Sequence, residues 1–445
     1  MEQHTGSALL GLIGVSVFEV EHDGDGGRVV HVVPERPGPP LCPDCGLPAG
    51  RAKQWVTARA AHVPIGLEPV TLVVHKRRWR CDTPWCERAS FTEQVPPIAC
   101  GARLSQALRE QMAVEIGDQV RAVSEVAATH RVSWHTAHDA FVAVADPVLE
   151  RPLQPVVALG IDETRRGKSR YGLDEQGQRV LLADTWHTGL VDLDGGQGLL
   201  GQVEGRTAET VISWLGAQPA AWREQIRVVA IDMSTSYAKA VRAALPHAVL
   251  AVDHFHVIQA ANKVINLVRR RAIHARYGRH GRAGDPEYGM RRTLLRNWED
   301  VPDKRVNAMW EVFLAAGGAG EQVLACWVAK EQLRAVFRAT CASGVRDRLT
   351  TFFAWCADHS HIPELAALAQ TVSTWRHEIA ATVLFGVSNA ASEGTNRVIK
   401  LVGRIAFGFR NPVNQRRRAR YATTRVSRRP SSRSEVRTRS PKVIT

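Results

Sequence analysis

Two tight cysteine pairs, Cys42-Pro-Asp-Cys45 and Cys81-Asp-Thr-Pro-Trp-Cys86, constrain this chain more than any other feature. Four thiolates on two short knuckles suit tetrahedral zinc, and a small module needs such a staple because its own core is limited. The 35 residues between Cys45 and Cys81 leave room for a β-hairpin. The other reading is two unrelated pairs of buried thiols, but turn residues, not core runs, flank both pairs. Four protein ligands leave no position open for water, so the expected role is structural. Eight cysteines in 445 residues do not make a secreted disulfide framework, and the pairing suits metal binding in a reducing cytoplasm.

Charge bounds the partner. Lys and Arg total 58 against 44 Asp and Glu, a net +14, which favours a polyanion. An anionic membrane surface is the rival, but no basic amphipathic helix is apparent. Ala8 to Phe18 lacks a preceding basic segment and a cleavage site and reads as a strand. No run of ~18 uncharged apolar residues occurs, so no membrane span is expected.

The pattern along the chain predicts a multidomain α/β protein. Residues 1–100 read as a β module, with β-branched runs at Val29–Val33 and Val70–Val74. Residues 101–150 read as helical, with Leu104, Leu108, Met112 and Ile116 at helical spacing, and Pro147, Pro152 and Pro155 then mark a linker. From 151 to 256, strands at Val156–Ile161, Arg179–Ala183, Ile226–Ile231 and Ala248–Val252 alternate with helices at Thr207–Leu215 and Ser236–Leu245. Residues 257–385 read as a helical insertion, and residues 386–411 hold a last helix near Asn389–Val402. The tail, 412–445, has eleven Lys/Arg and one acid, and is expected to be disordered.

Within the helical segment, Val123 to Thr136 reads as helix, turn, helix, with Ser133 as N-cap of a second helix running to about Ala145. Trp134, His135 and His138 at its start are candidates to reach a DNA groove. A plain helical bundle remains the other reading, because Arg131 stands where a turn glycine is common. Basic residues beside the second knuckle, Lys76, Arg77, Arg78, Arg80 and Arg88, are candidate phosphate contacts or a solvated face. Between Lys263 and Arg296 ten Lys/Arg face two acids, and Lys263, Arg269, Arg270 and Arg271 are candidate contacts there.

Three acids carry the expected chemistry. Asp162 ends Val156-Val-Ala-Leu-Gly-Ile, and Asp232 ends Val228-Val-Ala-Ile. Two adjacent strands would bring these carboxylates to one sheet edge. Glu393 lies at a helix start, Ser388-Asn-Ala-Ala-Ser-Glu393-Gly-Thr-Asn396. Such oxygen ligands suit Mg²⁺ or Mn²⁺, and two ions about 4 Å apart clamp the attacking and leaving oxygens of phosphoryl transfer. Glu163 and Glu378 are less well placed substitutes for Asp162 and Glu393. Together with the zinc knuckles and the charge, the set points to an enzyme that cuts nucleic acid.

At these residues the chain resembles bacterial insertion-sequence transposases of the ISL3 type, from about residue 8 to Asn411. The likeness rests on Arg78-Trp-Arg-Cys81 with Cys86-Glu-Arg-Ala-Ser-Phe91, on Leu159-Gly-Ile-Asp162-Glu163, on Ala230-Ile-Asp232-Met-Ser with Asp253-His-Phe-His256, and on Asn389, Glu393-Gly394, Asn396, Lys400, Arg404 and Gly408-Phe-Arg410-Asn411. The resemblance implies a ribonuclease-H-like core whose DDE triad is Asp162, Asp232 and Glu393, with an all-helical insertion in the 160 residues before Glu393. His256 would assist proton transfer or bind a phosphate; a polar contact near the sheet is the plainer reading. Lys400, Arg404 and Arg410 join the candidate DNA contacts. Implied partners are double-stranded DNA, both terminal inverted repeats and target, and a second copy of the chain, since two ends must be joined. The expected location is the bacterial cytoplasm, at the nucleoid. Residues 412–445 depart from the usual ending. Two rivals remain: a non-catalytic DNA-binding regulator, which needs no carboxylates, and a structure-selective nuclease of the same core. Trp298 or Trp310 is a candidate to stack on an extruded base, against ordinary core packing.

Overall fold

The computed structural model describes residues 7–428 apart from 8, 9, 25, 36, 37, 97, 100, 184 and 195. Cys100, Ala8 and the tail beyond residue 428 therefore lie outside the described residues. Over the described residues two compact units are formed, one from residues up to 152 together with 402–422, the other from 153–401 together with 423–428.

The first unit opens with β1 (Val15–His22), β2 (Arg28–Pro34), β3 (Ala52–Ile65), β4 (Glu68–Arg80) and β5 (Ser90–Thr92), in the order β1-β2-β4-β3 with β5 on β4. The long β3–β4 hairpin turns at Gly66-Leu67, where Gly66 takes φ +64°, a left-handed conformation that costs glycine little. Alternate residues Val30, Val32, Val70, Leu72 and Val74 bury one face, as the period of two requires. The strand expected over Ala8 to Phe18 starts later, at Val15, after a turn at Leu10-Gly11 and a bend at Gly14.

Three helices follow: α1 (Gln106–Gly117), α2 (Val123–Thr129) and α3 (Trp134–Leu149). Ser105 and Ser133 cap α1 and α3, accepting from the N–H groups of Leu108 at 3.2 Å and Thr136 at 3.1 Å. Arg131 makes the turn between α2 and α3 with φ +53°, so the position does require the left-handed region although no glycine fills it. Pro147 does not open a linker; it lies inside the last turn of α3, which runs to Leu149.

The expectation of a disordered tail from residue 412 is corrected over the described residues. Pro412–Thr423 is a helix, and Ala419, Tyr421 and Ala422 are buried. The Tyr421 ring meets Phe141 edge-on at 5.4 Å, and the buried Arg418 guanidinium donates to the carbonyls of Arg121 at 2.8 Å and Ile116 at 3.3 Å. Gly117 is needed beneath it, since a Cβ there would stand 2.4 Å from the Tyr421 ring. The segment is polar in composition but brings its own apolar anchors, which a charge count does not register.

The second unit is built on β6 (Ala158–Arg165), β9 (Trp186–Asp192), β10 (Leu199–Glu204), β11 (Val228–Ile231) and β12 (Val249–Val252), in the order β10-β9-β6-β11-β12. The first three pair antiparallel, and β6, β11 and β12 run parallel. A separate hairpin, β7 (Arg170–Leu173) and β8 (Arg179–Ala183), stands between β6 and β9. Helices α4 (Ala208–Gly216) and α5 (Thr235–Ala244) join the sheet's strands. From α6 (His254–Tyr277) to Phe385 the described residues are helical, with no strand. Their apolar faces, including Val268, Trp327, Leu333 and Phe352, share one core with Ile161, Val229 and Val252 of the sheet. A further helix, α7, covers Ala390–Ile405. No helix among the described residues is long and apolar enough to cross a membrane.

Candidate active site

Strand register brings two of the three predicted acids together. On the parallel strands β6 and β11, Ala158 lies opposite Val228 and Gly160 opposite Ala230. Two residues further on, Asp162 and Asp232 reach the same level, one strand spacing apart, about 4.8 Å. Ile231 faces Val252 on β12, so Asp253 follows at that level and caps α6.

Each side chain is held by named neighbours. Asn396 Nδ2 donates to Asp162 Oδ2 at 2.6 Å, and the Glu163 N–H donates to Asp162 Oδ1 at 2.7 Å. Thr164 Oγ1 in turn donates to Asn396 Oδ1, which fixes the amide's orientation. Burial, and then the nearby Asp232 charge, push the Asp162 carboxyl up to about 6. His256, in the first turn of α6, places Nε2 2.8 Å from Asp232 Oδ1, and that carboxylate raises the imidazole above its ordinary range against the opposing effect of burial. The ion pair is poorly directed, and Asp232 Oδ1 remains buried without a hydrogen bond. An unused anionic lone pair beside a second carboxylate is a position that a cation would stabilise. Burial pushes Asp253 up, but the His254 imidazole 3.3 Å away outweighs it and the carboxyl stays below its usual range. The Tyr237 hydroxyl meets Thr188 Oγ1 at 2.9 Å, and burial, with Glu163 and Asp162 nearby, keeps it protonated.

A cleft of about 450 Å³ opens here, lined by Glu163, Arg206, Asp232, Ser234, His256 and Lys263 among others. Glu393 does not join the group. Its side chain is 56% exposed and pairs with Arg397 at 2.6 Å, and among the described residues no metal-sized cluster unites it with Asp162 and Asp232. The same helix nevertheless lies against β6: a Cβ on Gly160 would fall 2.2 Å from Ser392 Oγ and 2.8 Å from Asn389 Oδ1. Glu378, the other candidate, is buried and bound to Arg242 at 2.6 Å.

In the first unit the four cysteines converge. Cys42, Cys45, Cys81 and Cys86 place their sulfurs within 4.8 Å of one another, with Cys42–Cys86 at 3.9 Å and Cys45–Cys81 at 3.7 Å. Bonds of about 2.3 Å at tetrahedral angles put sulfurs about 3.8 Å apart, so the cluster is consistent with structural zinc. Trp79, Phe91 and Ala49 pack around it. The Leu47 N–H leads in drawing Cys45 down to about 6. The Arg88 N–H favours a Cys86 thiolate too, but burial and the other sulfurs override it and push Cys86 up to about 12.

A profile of the ISL3 DDE group, described as Transposase, matches residues 159–419, and one described as the zinc-finger of transposases IS204/IS1001/IS1096/IS1165 matches residues 38–86. The chain belongs to the ISL3 family of DDE transposases. It is similar to the transposase for insertion sequence element IS1001 of Bordetella parapertussis, 26% identical over 415 residues that cover 91% of this chain and 94% of the relative. It is also similar to the transposase for element IS1557 of Mycobacterium tuberculosis, 26% identical over 425 residues that cover 89% of this chain and 88% of the relative.

The transposase family implies DNA binding, and the candidate contacts fall into distinct environments. Arg80, His135, Lys263, Arg270, Lys400, Arg404 and Arg410 are exposed. Trp134 is 43% exposed and stacks on His138 at 4.7 Å, presenting one ring face. Arg78 binds Ser90 Oγ at 3.2 Å, and Arg77 lies over the rings of Trp79 and Trp55. Two expectations are corrected: Arg269 is buried at 6% exposure and Lys76 at 8%, on the inward sides of elements whose charge count alone suggested an outer face. Arg271 is exposed and paired with Glu364 by two bonds of 2.8 Å. Trp310 packs on Trp327, while Trp298 stacks on Trp327 at 5.8 Å and stays 54% exposed. Asn396 enters the sequence reading only among the residues of the family likeness, three places after Glu393, and Thr164 gives no signal.

Proposed function

We propose that this transposase cuts and rejoins DNA at the terminal inverted repeats of its insertion sequence, using Asp162, Asp232 and Glu393 to hold Mg²⁺ or Mn²⁺. The carrying observation is that adjacent parallel strands bring Asp162, within β6, level with Asp232, just past β11, with Asp162 pushed up to about 6 by burial and the Asp232 charge and His256 Nε2 2.8 Å from Asp232 Oδ1. The strand order, three antiparallel strands followed by two parallel ones, supports a ribonuclease-H-like core. When bound, divalent ions lower the pKa of an attacking water or 3′-hydroxyl and neutralise charge on the phosphate. The chain's own groups prepare the rest. Asn396 fixes the Asp162 carboxylate; His256 orients Asp232 and can carry a proton; Arg206 and Lys263 give the cleft positive charge for a phosphodiester. Glu393 completes the set by exchanging Arg397 for a cation. The zinc module and the α2–α3 helices bind the repeats, and two copies act together because two ends are joined.

The test is incubation with Mg²⁺ and DNA ending in the element's repeats. Asp232→Asn and Glu393→Gln should lose strand cleavage by roughly 10³-fold or more while still shifting repeat DNA in a gel. Cleavage that persists in either variant overturns the assigned role. Equal cutting of branched DNA without the repeats would favour a structure-selective nuclease.

A further inference from the structure

The face of the first sheet opposite its apolar core carries a second set of metal-ligating groups. Val30 and Val32 are buried at 1% exposure, so His31 between them points to the other face. On the edge strand β1 the register slips between Val17, opposite Val32, and Glu19, opposite His31. That β-bulge at Phe18 turns Glu19 and Glu21 to the side of His31. One atom each from Glu19, Glu21 and His31 lies within 4.8 Å of the others, and Glu21 Oε2 is 3.7 Å from His31 Nε2.

The imidazole is held as metal ligands usually are. His31 Nδ1 is 2.9 Å from His75 Nε2 on β4, so an Nδ1–H that donates to His75 leaves Nε2 with its lone pair towards the carboxylates. That Nε2 is buried and makes no hydrogen bond. Phe18 covers both imidazoles edge-on, with centroids 5.9 Å from His31 and 5.2 Å from His75. A buried nitrogen lone pair facing two carboxylates, with its other nitrogen already fixed, lacks only a cation. We propose that Glu19, Glu21 and His31 form a second metal site, for a divalent first-row transition ion of the zinc type. One imidazole with two carboxylates suits zinc, cobalt or nickel, and three protein ligands leave a position open. Occupancy would clamp β1 to β2, and the ion would exchange faster than one closed in by four thiolates.

Zinc bound per full-length chain, measured by equilibrium dialysis and mass spectrometry, tests this. An Asp162→Asn/Asp232→Asn background removes the cleft carboxylates as competitors. The parent should bind two equivalents, and the added His31→Gln or Glu21→Gln change should leave one. His75→Ala should weaken the second ion 10–100-fold without removing it. Glu21 is exposed, so its variant keeps the fold, and cobalt–thiolate absorbance from the four cysteines counts intact modules. A parent with one equivalent, or His31→Gln and Glu21→Gln proteins that both retain two, overturns the proposal.

Discussion

Asp162→Asn should stabilise the magnesium-free protein at neutral pH and abolish its response to magnesium. The folded carboxyl titrates near 6 instead of its ordinary 3.8, through burial and the Asp232 charge. At about 1.36 kcal/mol per pH unit this difference corresponds to roughly 3 kcal/mol. The sign follows from proton counting. Between the two values the folded chain holds a proton that the unfolded chain has lost, so stability falls as pH rises from about 4 to about 6. Above that window the ionised carboxyl destabilises the fold by about 3 kcal/mol, the ceiling for what the amide can recover. A unit of this size gains roughly 2–4 °C per kcal/mol, or up to roughly 6–12 °C at pH 8. Thermal melts of both proteins at pH 4 and pH 8, in magnesium-free buffer without chelator so that the cysteine site is undisturbed, measure it. The gap should open only at pH 8, and Mg²⁺ should close it by raising the wild-type midpoint alone. A variant less stable than wild type at pH 8, or a gap equal at both pH values, would refute the cost assigned to burying an ionised Asp162 beside Asp232.

Four further outcomes follow from contacts already described. Gly160→Ala should disable strand cleavage more than it lowers the melting temperature, because its Cβ displaces Ser392 and Asn389 and with them Asn396; cleavage assays set against melts decide it. Asn396→Ala should lower the cleavage rate roughly 10–100-fold with repeat binding intact, as loss of a group that orients a metal ligand typically does, and single-turnover rates at saturating DNA test it. Arg418→Ala should destabilise the first unit by about 2–4 kcal/mol, since it leaves the carbonyls of Ile116 and Arg121 without their buried donor; urea unfolding followed at the first unit reports it. Cys45→Ser should release the zinc and loosen the packing of Trp79 and Phe91, read as lost metal content and changed tryptophan fluorescence.

Apolar runs made parts of the fold legible. The cores of β11 and β12 and the ends of β8 follow from short apolar runs, and the caps Ser133 and Thr207 mark helix starts. Strand β9 was invisible because His187 and Thr188 are polar yet buried; Thr188 is satisfied by Tyr237 and by the Gly205 carbonyl at 2.8 Å, partners 49 and 17 residues away. Strand β10 follows a glycine-rich turn that reads as loop, and Gly201 is needed there because the Trp214 ring occupies the space of a Cβ at 2.4 Å. Strand β3 carries Lys53, Arg59 and Pro64 and shows no sustained alternation; pairing with β4 defines it. For β9 and β10 the decisive contacts lie 13 to 49 residues away, and for β3 they come from pairing across the hairpin, neither of which a periodicity window registers.

The candidate site was legible to the extent that strand ends dictate it. Two apolar runs each ending in Asp, once paired in parallel, bring those carboxylates level whatever the loops between them do. A helix offers no such guarantee. On α7 and just before it, Asn389, Ser392, Asn396 and Ile399 are buried, whereas Glu393, Arg397 and Lys400 are exposed. At 3.6 residues per turn, Glu393 sits only about 60° round the helix from Asn396, whose amide holds Asp162. The acid therefore flanks the face that docks on β6, while its carboxylate is turned to Arg397. Without cations, the charge already shared by Asp162 and Asp232 opposes a third anion, and Arg397 four residues on offers Glu393 a better partner. Arg397→Ala should accordingly free Glu393, lowering the Mg²⁺ concentration needed for half-maximal cleavage if phosphate binding is held saturated. An increase in that concentration under saturating DNA would mean that Arg397 positions Glu393 for the metal instead of withholding it.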